Sequence, residues 1–444
     1  MSETTVNTTV VARAEYSVMG SDLVSHLKVA ANAWDKNASL PILKHVMFTL
    51  TDPEALILEA TDLEYAVVRT VAARQDYSTF EHGMCLPFAA LMDVLPKMFN
   101  ADRIDITFEH QKEGRTKPEL RPDFEWKSYS VPKPEDYIQV PYTVDRCVAT
   151  FQQGDTEWEL AGMSAEDFPF IPRMGKLKGG VEAELLLFQW DAKEGPIGFI
   201  EAGAASEDNR PILQGVLLKL DAESKTALMA SADGYRLHLL EMPAPVIHDA
   251  SLIIPARAFK KFVGKRIEDQ LLNVYLAGEQ VIFNEGPHTT VISLIEGKFP
   301  DYEAIIPRNF SGVITVPINE AFAAFTKIGA IASQSASTTR IHDMQDDSFV
   351  VSAKSETRGK GQRTVKNCVI NSDVDEVALN YSYMVDAFKQ IAALYGQGKP
   401  KQIEKLSKRC NIHLVAPTAP VVIQPEDLAG MEATVVVMPM STDR

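Results

Sequence analysis

Apolar positions along the chain alternate between a helical period and a strand period. Between residues 21 and 34 they recur at Leu23, Leu27 and Ala30, which predicts an amphipathic helix. Segments 46–50 and 56–59 are short and apolar and predict strands. A second apolar stripe over 87–99 predicts another helix.

The same order of elements occurs twice more along the chain. In the second copy the pattern predicts a helix over 188–205, although Gly195 and Pro196 interrupt it. Pro255 stands at the start of another helix, as helices tolerate. The further elements that the pattern predicts are strands 215–220, 227–231, 348–353 and 433–438 and helices 255–267, 319–331 and 383–394.

Short motifs repeat at corresponding points of the first two copies. Pro41-Ile42-Leu43 recurs as Pro211-Ile212-Leu213, and each is followed by an acidic turn, at Asp62 and at Asp233. The spacings are 62 − 41 = 21 and 233 − 211 = 22 residues. Phe168-Pro169 and Phe299-Pro300 end the two copies. Self-similarity at this period indicates a duplicated domain.

The repeats predict an α+β protein of three tandem similar domains, each with two helices packed on antiparallel sheets. The expected boundaries are 1–183, 184–312 and 313–444. Two segments interrupt the repeat, and we interpret both as surface insertions. One is proline-rich, at about 110–143, and the other is lysine-rich, at about 396–409.

Composition describes an ordinary globular protein with an acidic balance. Lys and Arg total 44 against 60 Asp and Glu, a net charge of −16. An acidic total argues against nucleic acid unless the positive charge is concentrated on one surface. The four cysteines are far apart, so we expect reduced thiols and no metal site. The polar start and the lack of a long apolar run predict a soluble intracellular protein.

Taken in order, the motifs resemble those of the bacterial DNA polymerase III beta subunit, the sliding clamp. The resemblance runs from about residue 16 to residue 440. It is carried by Leu40-Pro41-Ile42-Leu43, Ala60-Thr61-Asp62-Leu63-Glu64, Arg210-Pro211-Ile212-Leu213-Gln214-Gly215-Val216, Asp233-Gly234-Tyr235-Arg236-Leu237, Gly297-Lys298-Phe299-Pro300-Asp301-Tyr302 and Met438-Pro439-Met440.

The resemblance implies a head-to-tail homodimeric ring with helices lining a hole. The implied function is that of a non-enzymatic, cofactor-free processivity factor that encircles duplex DNA without reading its sequence. The implied partners are a DNA polymerase, an ATP-dependent clamp loader and a second copy of the chain, with no membrane. The insertions, the longer N-terminus and the C-terminal tail indicate a divergent member, viral or from an unusual bacterium. The expected location is the cytoplasm, at the nucleoid, or the host cytoplasm for a virus.

A clamp holds DNA through phosphates, so its lining helices should carry Lys and Arg. Helix 255–267 fits best, because it has five basic residues and no acidic ones in an acidic chain. For the other basic residues a solvated helix face is an equally good interpretation. The DNA-contact candidates are Lys28, Lys36, Lys97, Arg210, Arg257, Lys260, Lys261, Lys265, Arg266 and Lys327.

The resemblance also implies an apolar pocket for a partner peptide between the second and third domains. Methionine suits such a pocket, because its flexible thioether adapts to several ligands. The implied pocket residues are Leu213, Ala232, Gly234, Leu237, Pro300, Ile305, Phe325, Tyr383, Val436, Met438, Pro439 and Met440.

Two alternatives remain at this stage. The repeated turns could supply acid/base groups, Asp62 with Glu64 or Asp233 with Arg236, to a hydrolase. Turn aspartates that bond their own backbone are common, however, and favour a structural role. The second alternative is a clamp-like adaptor that forms no ring.

Overall fold

The computed structural model describes most of the chain as two compact units, residues 1–181 with 286–291 and residues 182–285 with 292–444. Within these units the described residues are 4–99, 102–122, 137–172, 185–190, 194–206, 210–263, 272–333 and 336–441.

The first unit is built from a closed circuit of antiparallel strands. The strands pair in the order β1-β6-β7-β8-β5-β2-β3-β4, and β1 pairs in turn with β4. Tyr16, Phe48 and Phe108 meet in its core, with the rings of Phe48 and Phe108 5.6 Å apart. The elements are β1 (Thr4–Met19), α1 (Gly20–Ala30), β2 (His45–Thr49), β3 (Ala55–Thr61), β4 (Tyr65–Ser78), β5 (Gly83–Pro87), α2 (Phe88–Met98), β6 (Arg103–Leu120), β7 (Tyr137–Gln153) and β8 (Thr156–Ser164).

The second unit repeats the helix–strand plan of the first. Its elements are β9 (Leu185–Trp190), α3 (Glu194–Glu201), β10 (Gly215–Asp221), β11 (Thr226–Ala232), β12 (Arg236–Pro243), β13 (Ala250–Pro255), α4 (Ala256–Val263), β14 (Leu272–Ala277), β15 (Gln280–Glu285), β16 (His288–Ser293), β17 (Gly312–Pro317), α5 (Ile318–Ala332), β18 (Thr338–Gln345), β19 (Ser348–Ser355), β20 (Gly359–Val365), β21 (Val369–Ser372), β22 (Glu376–Asn380), α6 (Tyr381–Leu394), α7 (Pro400–Ile403), β23 (Arg409–Leu414), β24 (Val421–Pro425) and β25 (Glu432–Val437). Residues 288–291 of β16 belong to the first unit, where β16 pairs with β4.

Two sheets contain the strands of the second unit other than β9, β14, β15 and β16. A nine-stranded sheet has the order β13-β10-β11-β12-β25-β24-β23-β17-β21. The pairing of β12 with β25, from Arg236 opposite Val437 to Glu241 opposite Glu432, joins the predicted second domain to the third. A four-stranded sheet has the order β20-β19-β18-β22 and packs against α5. Helix α3 also packs on α6 across the same junction.

The predicted α+β class is therefore correct, and most predicted helices are present. One prediction was wrong, because residues 188–190 end the strand β9, and the helix α3 begins only at Glu194. Trp190 pairs with Leu272 of β14. Residues 185–188 are all apolar, and such a short run does not distinguish a strand from a buried helix. The pairing with β14 therefore determines that this segment is a strand.

The described part of the proline-rich insertion extends two strands of the first unit. Residues 110–120 and 137–143 continue β6 and β7 as one long antiparallel hairpin. Pro118 of β6 and Pro141 of β7 lie in parts of these strands that pair with each other and, within the described chain, with no third strand. Proline has no backbone N–H group, and the unpaired side of such a strand does not require one. The lysine-rich insertion contains the short helix α7.

Candidate functional site

An apolar cluster lies where β12 and β25 pair. Leu237 stands opposite Val436, and both side chains are buried against Val422 of β24. Because residues opposite each other on one face of antiparallel strands are in contact, this pairing fixes the floor of the candidate pocket. Partly buried apolar side chains surround the floor, namely Ala232, Leu239, Tyr302 and Ile306.

The turn before β12 forms the rim of the pocket. The Asp233 Oδ1 atom accepts hydrogen bonds from the backbone N–H groups of Tyr235 (2.9 Å) and Arg236 (3.0 Å). Gly234 has φ +90°, a left-handed conformation that suits glycine. The first repeat has the same arrangement, because Asp62 Oδ1 accepts from Glu64 N (3.2 Å) and Tyr65 N (2.7 Å). The repeated aspartates thus hold turns together, as the structural interpretation expected.

Arg236 connects this turn to helix α6. Its Nε donates to Asp233 Oδ2 (2.9 Å), and its Nη1 donates to Asp386 Oδ2 (2.5 Å) on α6. The guanidinium also lies 4.8 Å from the centre of the Tyr383 ring, which stacks on Tyr235. The Arg236 side chain is only 15% exposed, so water screens these interactions weakly.

The C-terminal segment Met438–Met440 closes the other side of the pocket. Met438 N donates to Tyr235 O (2.8 Å), and Met440 N donates to Ala378 O (2.8 Å) on β22. Pro439 forms a bridge with Leu379. The segment therefore connects the β12 turn to the edge of the four-stranded sheet, and Met438 remains 36% exposed.

The predicted pocket residues occupy different depths. Ala232, Gly234, Leu237, Val436 and the C-terminal segment share the β12–β25 junction with Tyr383. Leu213 is buried just before β10, and Phe325 is buried between α5 and α6 against Phe388. Pro300 and Ile305 are exposed on the segment that carries Tyr302.

Sequence reasoning did not assign five residues to this site, namely Arg236, Asp386, Tyr302, Ile306 and Val422. Arg236 and Asp386 are 150 positions apart, and no local pattern links them. Tyr302, Ile306 and Val422 contribute to the apolar cluster. Of these three, only Tyr302 belongs to one of the motifs that carry the resemblance to sliding clamps. The position of Tyr302 directly after Phe299-Pro300-Asp301 could have indicated its role. The rings of Phe299 and Tyr302 are in edge-to-face contact, with their centres 6.4 Å apart.

The basic residues of helix α4 lie on its exposed side. Arg257 and Lys260 are exposed and Lys261 is half-buried, while Phe259 and Phe262 pack on Phe283. Lys260 forms an ion pair with Glu201 of α3 (2.8 Å), which neutralises part of its charge. Lys265 and Arg266 lie outside the described residues.

The remaining DNA-contact candidates are dispersed. Lys28, Lys36 and Lys327 are exposed, the first on α1 and the last on α5. Lys97 on α2 is exposed and forms an ion pair with Asp93. The Arg210 guanidinium lies beside Gly234, which places it at the rim of the pocket.

Burial shifts the pKa of several titratable groups outside the pocket. Burial raises the pKa of the Cys85 thiol to about 12 and that of Cys147 to about 11. Burial also lowers the pKa of His238 to about 4, and its Nδ1–H donates to Phe199 O (2.7 Å). The described part of the chain contains no group of three or more His, Cys, Asp or Glu suited to a metal ion. Among the described helices, none has the length and apolar character to cross a membrane.

Comparison with known proteins gives a consistent result. Residues 195–301 match the model of the DNA polymerase III beta subunit, central domain. A beta sliding clamp of Synechococcus elongatus is 22% identical over 95% of this chain and 97% of its own length. The DNA polymerase beta subunit of Streptococcus pyogenes has the same fold, with a TM-score of 0.76 at 15% identity over 96% of this chain and 100% of its own. A Pseudomonas aeruginosa sliding clamp bound to griselimycin gives a TM-score of 0.74 at 19% identity, covering 96% and 99%. The family model, the relatives and the solved structures all indicate a divergent sliding clamp of the bacterial DNA polymerase III beta type.

Proposed function

We propose that two copies of this chain close head to tail into a ring that encircles duplex DNA and tethers a polymerase through a peptide bound at the β12–β25 pocket. The observation that carries the proposal is the extent of the likeness, since the chain matches a beta sliding clamp over 95% of its length. A local resemblance would support one domain only. A likeness of this extent supports the whole assembly.

Two open strand edges support ring closure. β8 pairs with β7 and meets β5 only at Met163 and Ser164, so residues 156–162 have one open edge within the described chain. β20 pairs with β19 alone among the described strands. Open edges invite pairing with another chain unless they are protected. When one surface of a chain binds a different surface of the next copy, the copies form a ring if the rotation between successive copies returns to the first one.

The charges of these two edges are complementary. β8 and the turn before it carry the exposed residues Asp155, Glu157 and Glu159, of which Glu159 pairs with Arg146 of β7. β20 and its preceding turn carry two basic residues, Arg358 and Lys360, and one acidic residue, Glu356. Opposite charges across an antiparallel pair are favourable, and like charges are not. The pattern therefore favours β8 of one copy beside β20 of the next over either edge pairing with itself.

DNA retention follows from enclosure more than from contact energy. Arg257 and Lys261 on α4 provide sequence-independent attraction for phosphates. The acidic remainder of the chain disfavours binding at other surfaces. Weak contacts at the lining suit a ring that slides, because tight ones would slow it.

The pocket supports tethering of a partner. Its floor is aliphatic, its rim carries Tyr383 and Arg236, and Met438 and Met440 form one side. Such a surface accommodates several apolar peptides. We further propose that loading requires an ATP-dependent partner, and that the chain itself catalyses no reaction.

Ring closure is tested by charge exchange at the open edges. Glu157→Lys and Lys360→Glu each place like charges across the proposed pair, so light scattering after size exclusion should show less dimer at micromolar concentration. The double variant restores opposite charges and should restore the dimer. A wild-type protein that is strictly monomeric would instead support the adaptor, and loss of a turnover in Asp62→Asn or Asp233→Asn would support the hydrolase.

A further inference from the structure

The outer face of the four-stranded sheet forms a broad groove next to the C-terminal segment. Its volume is about 1160 Å³, and Met440 and Ser441 line one side. Pairing of Arg340 with Ser352 and of Ser352 with Gln362 sets one row of side chains across this face. The alternate residues of β19, such as Phe349 and Val351, are buried on the face that α5 covers.

Two lysines face each other in the groove. Lys354 on β19 is directly opposite Lys360 on β20, and both side chains are exposed. Like charges opposite each other on antiparallel strands destabilise the pair. Within one copy of the chain, neither lysine forms an ion pair with an acidic side chain of the described residues. Arg340 adds a third cation, although Glu376 forms an ion pair with it.

The charge of the groove contrasts with that of the chain. The lining contains three basic residues and no acidic one, whereas the chain has 60 acidic residues against 44 basic ones. The neutral lining residues Thr338, Ser352 and Gln362 provide hydrogen-bond donors. The groove is therefore suited to an anion with several oxygen atoms.

We propose that this groove binds an acidic segment of the partner peptide whose apolar part occupies the β12–β25 pocket. This inference rests on the proposed peptide pocket. Met440 belongs to both surfaces, so a peptide that leaves the pocket along the C-terminal segment enters the groove directly.

The distances fit a short peptide. The C-terminal segment lies along β22, and β22 is followed by β18 and then β19, which carries Lys354. Three steps of about 4.8 Å place Lys354 about 15 Å from the segment. About five extended residues at about 3.3 Å each cover this span. Acidic side chains four to six positions from the apolar anchor should therefore reach Lys354 and Lys360.

The geometry favours a peptide over DNA phosphates. Duplex DNA presents phosphates in rows and is held by many cations that follow them. The groove has a compact set of three cations on adjacent strands, and one of them is already paired. Its continuity with an apolar pocket also suits a chain that carries both apolar and acidic residues.

Fluorescence anisotropy with synthetic peptides tests the proposal. One peptide is a Leu/Phe anchor alone. The others extend it, at either end, by a Gly-Ser spacer and three glutamates, or by the same spacer and three glutamines. We expect the glutamate extension at one end to bind about three- to tenfold more tightly than its glutamine counterpart, as two exposed ion pairs would give. The advantage should decrease with salt.

Lys354→Glu is the informative variant, because Lys354 lies on the interior strand β19 and leaves the open edge of β20 intact. It should reverse the preference for glutamate and leave binding of the anchor unchanged. Lys401→Glu, an exposed lysine on α7 outside the groove, is the matched control and should change neither.

Each other outcome assigns the groove differently. Equal affinity for glutamate and glutamine extensions, or an advantage that Lys354→Glu retains, would overturn the proposal. Displacement of the glutamate extension by a linear duplex, with loss in Lys354→Glu, would assign the groove to nucleic acid. If only a variant truncated after Ser441 bound the glutamate extension more tightly than the glutamine extension, the groove would be assigned to the C-terminal residues of the chain itself. Failure of the anchor alone to bind would refute the pocket, whatever the extensions do.

Discussion

Replacement of Arg236 by methionine should separate the β12 turn from helix α6. Methionine keeps much of the length of the side chain and removes its charge. The change eliminates the bonds to Asp233 (2.9 Å) and Asp386 (2.5 Å) and the contact with Tyr383 (4.8 Å). Asp233 retains its two bonds to backbone N–H groups, so the turn itself should persist.

The expected cost follows from the burial of these groups. Each lost charge-assisted hydrogen bond costs about 1.5 to 3 kcal/mol where the partner remains buried. Loss of the ring contact adds about 1 kcal/mol. The side chain of Asp386 is 27% exposed, so water recovers part of the loss. We expect the free energy of unfolding to decrease by about 3 kcal/mol, near the lower limit for a broken buried pair.

Chemical denaturation and peptide anisotropy should be measured on the same preparations. Arg236→Met should bind the anchor peptide at least about tenfold more weakly, because Tyr383 and the turn are no longer held together. A double-mutant cycle with Asp386→Asn should give a coupling energy of about 1 to 3 kcal/mol.

Arg363→Met is the matched control. Arg363 pairs with Glu320 at 3.1 Å, away from the pocket, and both side chains are about one-third exposed, at 29% and 36%. Loss of that pair should cost no more than about 1 kcal/mol and leave peptide affinity unchanged. An Arg236→Met protein with wild-type peptide affinity, destabilised no more than this control, would refute the role assigned to Arg236.

Three further changes test other parts of the account. The double variant Arg257→Glu, Lys261→Glu should shorten the time that the protein stays on DNA. It should also reduce the slope of log affinity against log salt concentration by about one unit per lost phosphate contact, and the control Lys366→Glu should change neither. An unchanged slope in the double variant would exclude α4 from the lining. His238 stays neutral in the folded chain with a pKa of about 4, whereas the unfolded residue gains a proton below about pH 6.5, so stability should fall as the pH decreases between these values. From pH 7 to pH 5 the wild type should lose about 2 kcal/mol more than His238→Asn in urea unfolding, and equal losses would contradict this assignment. Truncation after Ser441 should preserve peptide binding, whereas Met440→Ala should weaken it severalfold without a loss of dimer. If anisotropy showed that the truncation weakens peptide binding and Met440→Ala does not, Met440 would not be part of the pocket.

The repeat made much of this fold predictable. The turns at Asp62 and Asp233 were recognised as equivalent by spacing alone, and their backbones are equivalent in detail. Leu63 has φ 77° where Gly234 has φ +90°. Local chemistry explains this success, since an aspartate that accepts from the N–H groups two and three residues further on defines the same turn in both copies.

Long-range pairing accounts for what the sequence did not reveal. The last three residues of β9 were predicted as the start of a helix, because the identity of this strand depends on its pairing with β14, more than 80 residues away. The proline-rich insertion was predicted only as a surface segment, and its strands form because Asp105–Leu120 of β6 align with Tyr137–Gln152 of β7. Arg236 was noticed only as a turn residue, because Asp386 is far away in sequence.

The central claim is that DNA is retained because the chain encloses it. The most direct measurement places the labelled protein, loaded by its clamp loader, on nicked circular duplex DNA in about 0.5 M salt, and then cuts the circle once. Contacts of lysine and arginine with phosphate are weak at that salt concentration. The account predicts that the protein remains on the circle and leaves within seconds through the new ends, unless bulky end blocks are attached. Release that is equally fast before and after cutting would contradict enclosure.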